Sequence, residues 1–353
     1  MRLRAVAVFF ALTAVLAPSL ALSSPATAVD IGACGGKAYI TAAGDDVVKV
    51  IDTQTNTNLA DIPVGAFPEG IVIAPDGNTA YVGNGYGDTI SVIDLASNAV
   101  SATWTGFDGP EYVALNLAGT KLYSTNSGTD SLGITDTLTG LSTFVPLGFN
   151  PFLVVANPTG TKAYVSGQNV IAVVDLLTEV VSTSITISGY PIGLGITSDG
   201  TKVYSANGTD NVVSAIDAVA DSLITEIPVP NSPYWITISN DDSKVYVVEY
   251  DGDALDTIST VSDTVISTVA TPETPYPYLS GMTADGAQLY VFGYYGEVAV
   301  LDPLTNVLTP TALDAGNQPY DFRTCPFATP PTPVTTSTTA ATPVEPVAPA
   351  FAG

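Results

Sequence analysis

Seven tyrosines recur along this chain at a nearly fixed interval: Tyr39, Tyr81, Tyr123, Tyr164, Tyr204, Tyr246 and Tyr290 are separated by 42, 42, 41, 40, 42 and 44 residues. Prolines keep the same beat at Pro68, Pro110, Pro151, Pro191, Pro233, Pro277 and Pro319. A third column is Asp52, Asp94, Asp136, Asp175, Asp217 and Asp302, with Ser259 standing in the missing place. A period of about 40–45 residues filled with short β runs is that of a four-stranded propeller blade. The second repeat shows the pattern. Ile71 to Ala74 reads as a first strand, Pro75-Asp76-Gly77-Asn78 as a turn, and Ala80-Tyr81-Val82 as a second strand. Thr89 to Ile93 alternates as a third strand, Asp94 to Asn98 turns, and Val100 to Thr105 is the fourth. No long helical periodicity follows the first 28 residues, so the expected class is all-β: a seven-bladed β-propeller of four-stranded blades.

The repeat count closes only as a ring. The Tyr39 repeat lacks a first strand, and the Pro319 repeat has nothing but a first strand, Tyr320 to Cys325. Joined, they complete one blade and remove the open sheet edges. The two cysteines sit at this seam. Cys325 ends the closing strand and Cys34 precedes the second strand of the same blade. A Cys34–Cys325 disulfide would fasten the ring, contributing about 5 kcal/mol in the chain-entropy model. Two free thiols or a redox pair are the alternatives.

The ends differ from the repeats. Residues 1–28 read as a secretory signal peptide: Arg2 and Arg4, an apolar run from Ala5 to Ala17, and the small-residue site Ala26-Thr27-Ala28. The mature propeller would span 29–326. Residues 327–353, almost wholly Pro, Thr, Ala, Val and Ser, cannot build a core and read as an extended, disordered tail. The expected location is secreted, extracellular or cell-surface associated, with no transmembrane segment after cleavage.

Charge narrows the chemistry. The chain has 9 basic residues, 34 acidic ones and no histidine, for a net charge of −25. Nucleic acid is not an expected partner, because phosphate binding needs basic residues. Histidine-based catalysis and His-ligated metals are excluded. The sequence contains no recognisable nucleophile-elbow, zinc-helix or phosphate-loop motif, so no catalytic residue is assigned.

Residues 67–106, FPEGIVIAPDGNTAYVGNGYGDTISVIDLASNAVSATWTG, resemble the repeat of the YVTN β-propeller family, which includes surface-layer-associated and YncE-like secreted propellers. The resemblance runs over 34–326 and rests on the P-x-G opening, the P-D-G turn, the A-Y-V strand and the V-I-D ending. Trp235 and Asp321 at the position of Gly70, and Ser259 in the Asp column, depart from it. It implies a secreted seven-bladed propeller serving as a binding or surface protein.

The residue after each proline should face one mouth of the central channel. These are Glu69, Glu111, Phe152, Ile192, Tyr234, Tyr278 and Tyr320. Aromatic faces beside carboxylates suit sugars or cations, so Glu69, Glu111, Phe152, Tyr234, Tyr278 and Tyr320 are the candidate ligand-binding residues. Arg323, alone among small residues in its column, is a further candidate, either paired with Asp321 or gripping an anion. The second-to-third-strand loops carry Asp45, Asp46, Asp88, Asp130, Asp210, Asp251, Asp253 and Glu297. Asp251 and Asp253 form the densest pair, a weak candidate for Ca²⁺, and no other cofactor is expected. Lys37, Lys121, Lys162, Lys202 and Lys244 form a column two places before the tyrosines, read as charges that block unwanted strand pairing. The expected function is a non-catalytic, monomeric scaffold binding a cell-envelope glycan or an extracellular protein through the mouth. The alternatives are a hydrolase or lyase using mouth carboxylates, or a passive surface-layer component.

Overall fold

A computed structural model describes residues 35–325. The signal peptide, Cys34 and the Pro/Thr/Ala-rich tail lie outside the described residues. Within them the chain forms seven four-stranded antiparallel sheets. Blade 1 runs from the axis outward as Pro319–Thr324, Lys37–Ala42, Val47–Asp52 and Thr57–Pro63. The C-terminal strand therefore completes the N-terminal blade, with Tyr39 opposite Arg323. Blade 2 follows as Pro68–Ile73, Thr79–Asn84, Thr89–Asp94 and Ala99–Thr105. Blades 3 to 7 occupy 110–146, 154–186, 191–228, 233–270 and 277–310.

Each second and third strand is buried over almost its whole length, as Thr79–Asn84 and Thr89–Asp94 are, and the fourth is mostly exposed. Two sheet faces meet at every blade boundary, so the middle strands are apolar on both sides. The Asp column caps the turn after the third strand. In Asp94, for example, Oδ1 accepts the Ala96 and Ser97 amides and the Ser97 hydroxyl, which holds the carboxyl below its usual range.

The repeated tyrosine has a second use. The Tyr164 hydroxyl donates to Asp221 Oδ1 and to the Ala218 carbonyl of the next blade, each at 2.8 Å. Tyr204 donates to Asp263 at 2.6 Å, and Tyr290 crosses the seam to Asn56. The lysine column corrects its sequence reading. Its strand is paired on both sides, so there is no edge to protect. Lys162 and Lys202 instead reach Asp221 and Asp263 at 2.7 Å, beside the same tyrosines. The acceptors Asn56, Asp221 and Asp263 all have left-handed backbone, with φ of 53, 52 and 50°. Asn and Asp tolerate that conformation best among non-glycine residues.

A bulge follows the opening proline in six blades. The pairing slips between Pro68 and Ile71, Pro110 and Val113, Pro191 and Gly193, Pro233 and Trp235, and Pro277 and Leu279, and again between Ile40 and Ala42, which faces Pro319. A bulge frees one amide and re-aims a side chain. Hydroxyls on the second strand take up the freed amide. Thr125 Oγ1 accepts from the Tyr112 N–H at 3.0 Å and donates to the Phe152 carbonyl of the next blade at 2.9 Å. Thr41 does the same between Asp321 N–H and the Glu69 carbonyl, and Ser166 accepts from Leu153. Thr125→Val should therefore lose about 1–3 kcal/mol of stability, because a buried amide is orphaned. Thr125→Ser should stay near wild type, both read from denaturant unfolding curves.

Candidate functional site

The channel is closed just beneath its mouth. Tyr112 of blade 3 and Trp235 of blade 6 meet across the axis with ring centroids 5.7 Å apart. Leu153, Leu279 and Asp321 fill the same layer, and all five are buried. Asp321 is 1% exposed, yet its Oδ2 accepts the Ile71 N–H at 3.0 Å and meets Arg323 at 3.2 Å. Burial pushes its carboxyl upward, against the pull of the guanidinium and two amides. Arg323 also donates from Nε to the Ile71 carbonyl at 3.0 Å. Its polar contacts are thus inside the closure blade and the first strand of blade 2.

Above this plug, the bulge residues form the layer named from the sequence. Tyr234 and Tyr278 lie 4.4 Å apart, and Tyr278 meets Tyr320 edge-on at 5.4 Å. Phe152 sits against Tyr112 at 5.4 Å. The structure brings Tyr234, Tyr278 and Tyr320 together, and places Phe152 on the other arc. Aromatics absent from the sequence reading enlarge the layer. Tyr250 and Tyr294 touch Tyr278, Tyr276 touches Tyr250, and Tyr295 touches Tyr276. Phe67 stacks on Tyr86 at 4.2 Å and meets Tyr320 edge-on at 5.4 Å. Tyr86 and Tyr295 are 77% and 65% exposed, so this aromatic surface opens to solvent. Its signal was present: Tyr86, Tyr250, Tyr294 and Tyr295 occupy the same second-to-third-strand loops that hold the acids.

Those acids mostly have structural duties. Asp46 and Asp253 accept the Phe67 and Tyr276 amides at 2.8 and 2.9 Å, and Asp88 accepts the Gly109 amide. Phe67 and Tyr276 thereby hold left-handed φ of 56 and 51°, a conformation that costs bulky residues about 1–3 kcal/mol. Asp251 is exposed at the surface. Among the described residues no three His, Cys, Asp or Glu side chains are grouped to hold a metal.

Glu69 and Glu111 are different. Glu69 is 6% exposed, and no described ion pair engages its carboxyl. Both side chains converge on Gly85. A methyl group there would lie 2.6 Å from Glu69 Oε1 and 3.8 Å from Glu111 Cγ. Burial, with Glu111 alongside, pushes Glu69 up to about 9. Burial also raises Glu111, against a hydrogen bond from Ser127. The Glu69 carboxyl therefore favours its protonated form at neutral pH. A cleft of about 350 Å³ lies elsewhere, on the opposite face at the seam between blades 7 and 1. Its Thr283 and Asp285 spend their bonds on their own turn.

A second acid pair also escaped the sequence reading. Glu249 and Asp256, each 2% exposed, occupy in blade 6 the places of Asn84–Ser91 and Asn207–Ser214, which are hydrogen bonded at 3.0 and 2.8 Å. Glu249 Oε2 accepts from Asn231, while Oε1 is buried without a donor. One proton shared with Asp256 satisfies the pair, and burial with that neighbour holds Glu249 up at about 7.

No family model and no curated protein matches the chain. Solved structures do. A functionally unknown protein from Desulfotomaculum acetoxidans aligns with a TM-score of 0.72 at 15% identity, covering 83% of this chain and 99% of that one. Kuenenia stuttgartiensis hydrazine synthase aligns at 0.68 and 16%, covering 84% and 100%. The dihydro-heme d1 dehydrogenase NirN, in complex with DHE, aligns at 0.61 and 15%, covering 82% and 75%. At these identities the likeness is one of fold, the seven-bladed β-propeller.

The Glu249–Asp256 pair gives a signed pH effect. The folded chain keeps a proton that the unfolded chain releases near pH 4.5, so this contribution falls as pH rises from there through about 7. Glu249→Gln puts an amide where blades 2, 3 and 5 have Asn84, Asn126 and Asn207. It should gain about 1–3 kcal/mol over wild type at pH 8 and little at pH 4, measured by urea unfolding.

Proposed function

We propose that the chain is a secreted or cell-surface, non-catalytic propeller of the YVTN-repeat kind, whose mouth holds an envelope or extracellular ligand. One observation carries the reading: Glu69, 6% exposed and in no described ion pair, lies next to Glu111 inside an aromatic frame that opens to solvent. Withdrawing a carboxyl from water costs folding free energy, and a mouth built for stability alone would place an apolar residue there. The plugged channel agrees with a shallow binding dish and leaves no route for transport. The strained Phe67 and Tyr276 backbones supply two wall aromatics of the same dish.

A carboxylate enzyme is the second reading, favoured by the neutral Glu69 beside Glu111, which resembles an acid paired with a base. Burial raises both groups, however, and so withholds a strongly ionised partner from the pair. The matched structure of NirN is described in complex with DHE, and at 15% identity the likeness carries the fold alone.

The test is co-sedimentation of the mature chain with envelopes of the producing organism, with and without a chelator. Retention should be lost in a variant carrying Glu69→Ala, Glu111→Ala and Tyr320→Ala. Equal retention of the variant, or none for wild type, would remove the mouth from the proposal. The ring fastener is a separate matter. Non-reduced peptide mapping should join Cys34 to Cys325, whose buried side chain ends the closing strand. Recovery of two alkylatable thiols would refute the bond.

A further inference from the structure

We infer that the mouth selects an organic cation, an alkylated or primary ammonium group, seated between the Phe67–Tyr86–Tyr320 wall and the Glu69–Glu111 pair. This rests on the mouth being the binding site and names what it binds. Three observations separate this chemistry from a neutral sugar or a hard metal ion.

The first is the missing partner. The chain's described ion pairs engage Lys49, Lys121, Lys162, Lys202 and Arg323 with aspartates, and none reaches Glu69 or Glu111. A buried carboxyl beside a half-buried one, with no positive neighbour in a described ion pair, is best completed by a positive ligand. The second is the wall. Phe67 and Tyr86 stack at 4.2 Å with 16° between planes, and Tyr320 stands edge-on to Phe67. Aromatic faces attract ammonium groups, most strongly when water is excluded. Ca²⁺ wants six to eight oxygens, which rings do not provide. The third is convergence. Glu69 Oε1 packs against Gly85, where any side chain would collide with it, and Glu111 reaches the same glycine, so the two carboxyl side chains meet at one point.

Burial and the neighbouring Glu111 favour a proton on Glu69. An ammonium group arriving beside the carboxyl favours the anion, so the proton leaves to solvent as the cation enters. Binding is thereby coupled to release of up to one proton. A neutral sugar gives no such release.

The test is calorimetric titration of the mature chain with tetramethylammonium, its neutral isostere neopentane-like alcohol tert-butanol, and CaCl₂. Two buffers of different ionisation enthalpy report protons released. Tetramethylammonium should bind, release close to one proton at pH 7, and tighten up to tenfold per pH unit until about pH 9. Glu69→Gln should weaken it by about tenfold or more and abolish the proton release. Should that variant fold poorly, Tyr86→Ala, at a residue 77% exposed, should still weaken binding several-fold with proton release intact. Equal binding of tert-butanol, binding of Ca²⁺ alone, or no tetramethylammonium binding at millimolar concentration would overturn the inference. The envelope experiment keeps the two readings apart. Mouth-dependent retention without ammonium binding defeats only this inference, while mouth-independent retention defeats both.

Discussion

Three of the seven blade boundaries, the ring seam among them, share one polar contact. A tyrosine on the second strand reaches past its own sheet to a turn of the next blade. Its hydroxyl meets the residue four places after the Asp column, as in Tyr164 to Asp221 and Tyr204 to Asp263. That residue must satisfy two demands, a left-handed backbone and a hydrogen-bond acceptor, which few side chains other than Asn and Asp meet together. Lysine reinforces the contact in two blades. At the seam, Tyr290 finds Asn56 across more than 230 residues of sequence, so ring closure uses the joint that Tyr164 and Tyr204 make at their own boundaries.

This explains why so much of the architecture was legible. Blade number, strand order and the shared blade all follow from columns whose residues have local duties: tyrosine for the joint, proline for strand entry, aspartate for the turn. The column of lysines was visible too, but its purpose was not. A single repeat cannot show that a strand is flanked on both sides, and only then does the charge point to the next blade rather than to an edge. The plug was hidden for a related reason. Tyr112 and Trp235 are three blades apart, and nothing in a 42-residue period says that two side chains meet across an axis.

The mouth was half legible. Glu69, Glu111, Tyr234, Tyr278 and Tyr320 were accessible because they follow the proline column, and a bulge there turns the side chain out of the regular ladder. The surrounding tyrosines lie in loops of varying sequence and length. There the eye is drawn to acids, yet Asp46, Asp88 and Asp253 spend theirs on backbone amides. The densest acidic loop thus says little about ligands, and the aromatic residues beside it say more.

A sevenfold repeat also supplies its own control. Wherever one blade departs from the other six, the common fold offers no reason for the change. Asp321 in place of a small or apolar residue is explained, since it takes two amides and the Arg323 guanidinium. Glu249 and Asp256 replace a neutral Asn–Ser pair and need an extra proton to be satisfied, a cost the other blades avoid. Glu69 and Glu111 replace the aromatic or aliphatic residues of the other five blades, and no described ion pair engages either carboxyl. That places the chain's individuality at the mouth of blades 1 to 3, on a scaffold otherwise made from one unit repeated.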